Sequence, residues 1–308
     1  MSLIYRDNHP GQGVMLIMGN DSQAAMKKFL VPGIRHFQKR YYWPDLEPVK
    51  DTYDFAEITS DVAWCASNGV LLTAMIQDKS FTNSTHVLPK GMAAYEIPST
   101  GGKGLTSKRW DPAVVFQFNK LTAKLGAALA TKAGFNGIAT CETSLSIDNA
   151  VLAANKYTPE AYKSAYLSIL ANAAHNMPPD NVYWTMNFFA QNQAYLADIA
   201  DAVRALGVQM GGPDCLPNSA PLLAGPYPLY EQFKGRMRLF IQVSPPGYSV
   251  PEPNGSAGQF MTPSEILAFA KEHLYVNTMF WYPIAPAQHG YSWADAVPVI
   301  AANPIINP

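Results

Sequence analysis

The run Phe135-Asn136-Gly137-Ile138-Ala139-Thr140-Cys141 is apolar or small, and it ends on a carboxylate, Glu142. A short run of this kind reads as a buried strand, which puts Glu142 at its open end. Partial withdrawal from water disfavours the charged form of a carboxyl group, and that suits a general acid working near neutral pH. The structural alternative is an ion pair with Lys79 or Arg40. Glu142 is therefore the first candidate for chemistry.

Other polar and aromatic residues fall at comparable places. The ends of successive apolar runs carry Arg40, Tyr41 and Trp43; Gln77, Asp78 and Lys79; Asn187 and Gln191; Asp214; Gln242 and Ser244; and Trp281 with Tyr282. Trp110 and Tyr248 stand in the connections between them. Rings interleaved with amides and a few charges are what a carbohydrate requires. Pyranose C–H faces stack on rings, and hydroxyls need fixed donors and acceptors. Trp184 and Phe189 divide evenly between this role and the core. Asp45 and Glu47 read as structural, with Glu47 positioned to hold its loop through backbone N–H groups. None of the six histidines has metal-ligand spacing. His36 lies inside an apolar run and reads as a core residue, whereas His86 and His289 lie in loops within reach of a substrate. No cofactor is implied.

The elements that must position these residues alternate. Strands are expected over 13–18, 34–41, 70–76, 136–141, 182–187, 208–212, 238–243 and 277–281. Helices are expected near 21–31, 55–68, 112–132, 159–175, 191–206, 226–235, 263–273 and 293–301. Alternation of this kind predicts a parallel sheet, and eight units close a (β/α)8 barrel. Asp111-Pro112, Thr158-Pro159 and Thr262-Pro263 each place a capping side chain before proline at the first helical position. Thr262 and Glu265 have capping-box spacing. Val114, Val115, Phe118, Leu121, Leu125 and Leu129 form one apolar stripe. An open doubly wound sheet is the alternative, but no G-x-G-x-x-G follows the first strand. The connections over 77–111, 142–158 and 244–262 are long, and in a barrel they belong to the active face. The last is Pro/Gly-rich and is a candidate mobile lid.

The 308 residues fit one barrel domain spanning 1–308, with 48% hydrophobic and 15% charged residues. A formal net charge of −1 gives no basic footprint for nucleic acid or an anionic membrane. No run is apolar enough for a membrane span, and no signal peptide is expected at the N-terminus, so localisation stays open. The 25 Pro and 21 Gly are dispersed, which describes defined loops and not a linker. Cys65, Cys141 and Cys215 are too few and too distant for a disulfide framework or a zinc motif, though one pair involving Cys141 is open.

One stretch adds a resemblance. Trp43-Pro44-Asp45-Leu46-Glu47-Pro48, followed by Tyr53-Asp54-Phe55, resembles the W-x-x-L-E-P-x-x-G-x-Y-D-F segment after the second strand of clan A glycoside hydrolases, including family 42 β-galactosidases. Ala66-Ser67-Asn68-Gly69-Val70 resembles their entry into the third strand. The likeness is close over 35–80 and elsewhere follows strand order. It implies a (β/α)8 barrel, Glu142 as general acid and Trp281 as the aromatic of the eighth strand. Two positions depart from the pattern. Cys141 stands where the family has Asn, and Gln242 stands where it has the nucleophilic Glu. A retaining mechanism then lacks its nucleophile. The departure leaves three readings: an inverting enzyme with its base at Asp214, or next at Asp78 or Glu252; a Glu→Gln variant; or a sugar-binding barrel without catalysis.

The expected function is hydrolysis of a polysaccharide or oligosaccharide. Glu142 would protonate the glycosidic oxygen, a second carboxylate would activate water, and Trp43, Trp110 and Trp281 would stack sugar rings. A non-catalytic carbohydrate-binding barrel is the second reading. A barrel lyase or aldolase with a Schiff base on Lys79 is the third.

Overall fold

In a computed structural model of the chain, residues 11–17, 22–81, 86–100, 104–178, 180–252, 259–285 and 290–307 are described. The strands are β1 (Gln12–Leu16), β2 (Ile34–Tyr42), β3 (Leu71–Gln77), the short β4 (Glu96–Pro98) and β5 (Leu105–Ser107), β6 (Phe135–Thr140), β7 (Val182–Thr185), β8 (Val208–Gly212), β9 (Leu239–Val243) and β10 (Thr278–Trp281). Eight of them form a closed parallel barrel in the order β1-β10-β9-β8-β7-β6-β3-β2. The fold is a (β/α)8 barrel, as the alternation of apolar runs and helices requires. His289 and the centre of the expected lid over 244–262 lie outside the described residues.

The main outer helices are α1 (Gln23–Phe29), α3 (Ala56–Ser67), α4 (Pro112–Leu129), α6 (Pro159–Asn176), α7 (Tyr195–Val203), α9 (Pro228–Phe233), α10 (Pro263–Glu272) and α11 (Trp293–Ala302). Short helices α2 (Trp43–Leu46), α5 (Asn149–Ala154) and α8 (Ala220–Ala224) sit in connections. Three caps are made as their residue types demand. Asp111 Oδ1 accepts from the Ala113 amide at 2.9 Å, Thr158 Oγ1 from the Ala161 amide at 3.1 Å, and Thr262 and Glu265 complete a capping box. On α4, Val114, Phe118, Leu121, Leu125 and Leu129 are buried, while Val115 at the edge of the stripe is half-buried.

Side chains alternate between the barrel interior and the helix layer, because strand residues point to opposite faces in turn. The lower interior is an aromatic layer: Tyr183 lies 5.3 Å from Phe240 and 6.0 Å from Phe280, centroid to centroid. His36 meets the Phe280 edge at 6.3 Å, a core position as expected. Asn136 donates to Thr73 Oγ1 and to the Tyr183 hydroxyl, both at 2.9 Å, which satisfies its amide within the barrel. One layer higher, Gln242 Nε2 donates to Gln38 Oε1 at 2.6 Å. Gly137, at φ 145°, lets β6 run against β7; a Cβ there would lie 1.8 Å from the Asn181 carbonyl oxygen.

The opposite faces of the same strands bind the helices. On β2, Lys39 reaches Glu57 and Asp61 on α3, each at 2.5 Å, and the Tyr41 hydroxyl donates to Asp61 at 2.6 Å. The Trp43–Phe55 segment is pinned by Glu47, which is fully buried. It accepts from Trp43 Nε1 at 2.7 Å, from the Asp51 amide at 2.7 Å and from the Gln117 amide of α4. The structural part expected of Glu47 is the one it has here. Between β3 and α4, β4 and β5 pair antiparallel, a hairpin with no sequence expectation.

Glu47→Ala removes the acceptor of the buried Trp43 indole N–H and of the Asp51 amide, while Gln117 keeps its bond to Asp51 Oδ1 at 2.9 Å; each lost acceptor costs about 1–3 kcal/mol where water does not replace it. The expected result is a loss of about 3 kcal/mol in stability and a fall of roughly 5–10 °C in Tm, read by thermal denaturation.

Candidate active site

Strand ends meet at a cavity of about 460 Å³ on the C-terminal face of the barrel, where barrel enzymes place their chemistry. Glu142, Asp214, Gln242 and Arg40 line it together with Gln77, Thr185 and Ser244. A larger cavity of about 670 Å³ opens at the other end of the barrel. Its lining is mainly basic, from Arg204, Lys234, Arg236, Arg238 and Lys271, with Asp180 as its one carboxylate. Of these two cavities, the C-terminal one brings two carboxylates together among the described residues.

Glu142 keeps 17% of its side chain exposed and is held at both oxygens. Lys79 Nζ donates to Oε1 at 2.7 Å, and Asn187 Nδ2 donates to Oε2 at 2.7 Å. Lys79 is itself 1% exposed and spends its remaining hydrogens on the Ser144 carbonyl and Ser146 Oγ, each at 2.9 Å. Glu142 thus lies among donors and not in an apolar pocket, and the ion pair with Lys79 is formed. Lys79 pairs with Glu142 and not with its neighbour Asp78. With every ammonium hydrogen engaged, it offers no free amine for a Schiff base.

Asp78 is buried under a different cation. Its Oδ2 accepts from Arg109 Nε at 2.7 Å and from Ser107 Oγ at 2.5 Å. Arg109 also donates through Nη1 to the Glu142 carbonyl, and to the Tyr162 and Tyr166 hydroxyls at 3.3 Å each. The β4–β5 hairpin delivers Ser107 and Arg109 to this point, and one guanidinium then ties the ends of β3 and β6 together. Asp78 is therefore occupied in holding the frame. The sequence carries no sign of Arg109's part, because its partners come from three separate segments.

Asp214 stands on the same cavity, without a cationic partner among the described residues. Its Oδ1 accepts from Ser244 Oγ at 2.6 Å. Burial pushes its carboxyl above the usual aspartate range, against the Ser244 hydrogen bond, and the Glu142 charge adds to the rise. Cys141, beside Glu142, is raised by burial to about 11 with Arg109 opposing, so it stands as a thiol. All three cysteines are free and buried. Glu252 lies away from the cavity, with its amide bonded to the Gln259 carbonyl at 3.1 Å.

The expected sugar platforms lie elsewhere. Trp43 is buried behind the barrel against Phe118, 5.2 Å between centroids. Trp110 is buried edge-on to Tyr157 at 5.0 Å and donates to the Asn155 carbonyl at 3.0 Å. Trp281 follows the inward Phe280, so it faces outward and donates to Gln12 Oε1 at 2.8 Å. The same alternation turns Tyr41 out beside the inward Arg40. Tyr248 is buried, with its hydroxyl on the Tyr282 carbonyl at 2.7 Å, and neither of the two lines the cavity. Trp184 and Phe189 are core residues, the latter 4.8 Å from Tyr162. Gln191 is exposed and reaches Asn149 at 3.2 Å, and exposed His86 lies 2.8 Å from Glu96. In their place the lining holds Met15, Ile17, Met75, Phe81, Pro245 and Pro246. These are ordinary apolar residues, and nothing in the sequence distinguishes them from core.

No protein-family model matches the chain, and no curated protein matches it in sequence. Solved structures share its fold. An endoglucanase from Pseudomonas stutzeri superposes over 97% of this chain and 95% of its own, with a TM-score of 0.54 and 11% identity. Endo-glycoceramidase II from Rhodococcus sp., in complex with a five-membered iminocyclitol, covers 95% of this chain and 78% of its own, with a TM-score of 0.58 and 10% identity. GH5_18 from Streptomyces cattleya, in complex with GlcNAc, covers 89% and 70%, with a TM-score of 0.54 and 14% identity. The likeness is one of fold: these neighbours are glycoside hydrolases built on the same barrel, and family 42 is not singled out among them. Among the described residues, no helix is long and apolar enough to cross a membrane.

Two outcomes test this geometry. Arg109→Met leaves the Asp78 carboxylate buried and unpaired, and a loss of about 3–5 kcal/mol in chemical denaturation is expected. A thiol raised to about 11 is ionised in roughly one molecule per thousand at pH 8. Native protein should therefore resist iodoacetamide at Cys141 at that pH and react fully only when unfolded, as peptide mass mapping would record.

Proposed function

We propose that the chain is a glycoside hydrolase whose two working carboxylates are Glu142 and Asp214. The observation that carries this is their placement on one cavity at the barrel mouth, in opposite surroundings. Glycosidic bond cleavage needs one carboxyl that gives a proton and one that stays ionised, and unlike environments are how a protein separates the two. The glycoside-hydrolase neighbours of the same fold support the reaction class.

The hydrogen bonding favours a division of labour opposite to the one expected from strand position. Glu142 accepts from Lys79 and Asn187, an arrangement suited to a carboxylate, because a proton on either oxygen would oppose a donor. Asp214 has a hydroxyl partner and, among the described residues, no cation, and burial favours its neutral form. In this mechanism Asp214 protonates the departing oxygen. Glu142 acts as the ionised partner, activating water if the carboxyl separation is about 6.5–9.5 Å and attacking directly if it is about 5–5.5 Å. Gln242, bonded to Gln38, forms the polar floor and takes no proton.

The second reading, a carbohydrate-binding barrel without cleavage, draws on the Lys79–Glu142 ion pair, which would serve a purely structural purpose equally well. One experiment separates the two. Nitrophenyl and unactivated glycosides are incubated with the wild type, Glu142→Gln and Asp214→Asn. Glu142→Gln should lose at least about 10³-fold on every substrate. Asp214→Asn should lose a comparable factor on unactivated glycosides but little on dinitrophenyl glycosides, whose leaving group needs no proton. The alkaline fall in rate, set by deprotonation of Asp214, should vanish in Asp214→Asn. Sparing by Glu142→Gln instead would restore the proton to Glu142. Binding without cleavage of any glycoside would establish the second reading.

A further inference from the structure

The cavity has two unlike walls. In the ring order, β1 is four strands from β7 in either direction, so the two strands face each other across the barrel. Glu142 follows β6 and Asp214 follows β8, which puts the carboxylates on either side of β7. The facing wall is made by Met15 and Ile17 of β1, extended on one side by Arg40 of β2, Met75 of β3 and Phe81, and on the other by Pro245 and Pro246; Arg40 is its one charged member.

That wall is poorly equipped for a sugar. Phe81 is the only ring among the described lining residues, and the tryptophans expected as platforms face the helix layer. The amide donors near it are already bonded within the protein: Gln77 Nε2 to the Lys79 carbonyl at 2.7 Å, and Gln242 Nε2 to Gln38 at 2.6 Å. Ser244 is bonded to Asp214. Hydroxyls laid against the methionine, isoleucine, phenylalanine and proline side chains would lose water partners and, among the described residues, gain a protein donor only where they reach Arg40, which is unfavourable over the rest of the wall. Methylene or aryl groups laid there would lose only contact with water, which is favourable in proportion to the area covered. The Lys79 ammonium lies over the Phe81 ring, 5.0 Å from its centroid, and the ring, 57% exposed, keeps its remaining surface for such a group.

We infer that the substrate is a small glycoside with an apolar aglycone, an alkyl or aryl group, whose sugar lies at Glu142 and Asp214 while the aglycone covers the β1 wall. This rests on the hydrolase reading for its chemistry, but the wall itself can be tested by binding alone. It also replaces the polysaccharide expected from sequence, since successive pyranose rings would find no row of platforms here.

Methyl and hexyl β-glycosides of glucose, galactose and mannose, with hexanol as control, are titrated calorimetrically into the intact wild-type protein and into Phe81→Ser, and cleavage is followed in parallel. Partial burial of five further methylenes should tighten hexyl over methyl binding at least about tenfold for the sugar that is accepted. Phe81→Ser should remove most of that advantage. Equal affinity for methyl and hexyl forms, hexanol bound as tightly as the hexyl glycoside, an advantage untouched by Phe81→Ser, or no binding of any glycoside would each overturn the inference. Cleavage without a hexyl preference would refute the aglycone and leave the hydrolase reading intact. A hexyl preference without cleavage would uphold the apolar wall and refute the hydrolase.

Discussion

The arrangement at the barrel mouth depends on one buried cation. Arg109 lies between the Asp78 carboxylate and the Glu142 carbonyl, with two tyrosine hydroxyls on the same nitrogen. A guanidinium can do this because its donors form a rigid planar fork and it stays charged when buried. Through it the end of β3, the hairpin and the end of β6 share one geometry. Lys79, next to Asp78, is thereby presented to the Glu142 carboxylate. The candidate site is thus two ion pairs deep: a buried one sets the backbone, and a half-buried one sets the side chain that faces the cavity.

The strict alternation of strand residues decides what reaches that cavity. Arg40 and Gln242 point inward, and so do Gln38 and Phe280; Lys39, Tyr41 and Trp281 point outward because they are the intervening residues. A ring at a strand end is therefore as often a clamp for the helix layer as a platform for a ligand. Here the clamps predominate. Trp43 is bonded to Glu47, Trp110 to the Asn155 carbonyl and Trp281 to Gln12, each satisfying an indole N–H that burial would otherwise leave without a partner. The cavity is left with methionine, isoleucine, phenylalanine and proline around Arg40 on the β1 side. That asymmetry, more than the number of aromatic residues in the chain, bears on the kind of molecule that fits.

The same contrast separates the two carboxylates. Glu142 and Asp214 have similar chemistry and similar places at strand ends, yet one has an ammonium and an amide upon it and the other a single hydroxyl. Partner atoms, not residue type or position, set the surroundings of each. The opposite end of the barrel makes the comparison plain: its cavity is larger, but its single carboxylate has no second one to work against.

The sequence by itself determined the barrel. Its eight apolar runs lie within two residues of the observed strands, and the caps at Asp111, Thr158 and Thr262 open their helices as read, because hydrophobic period and capping are local properties of the chain. It also determined that Glu142 ends a strand at the mouth and that Glu47 holds its loop. Only the tertiary structure decided which strand-end residues face inward, that Asp78 belongs to Arg109 and Lys79 to Glu142, and that the wall on the β1 side is apolar around Arg40. Those facts rest on pairings between residues far apart in sequence, such as Gln38 with Gln242 or Lys79 with Glu142, and no local pattern encodes a partner that the chain meets only when the barrel closes.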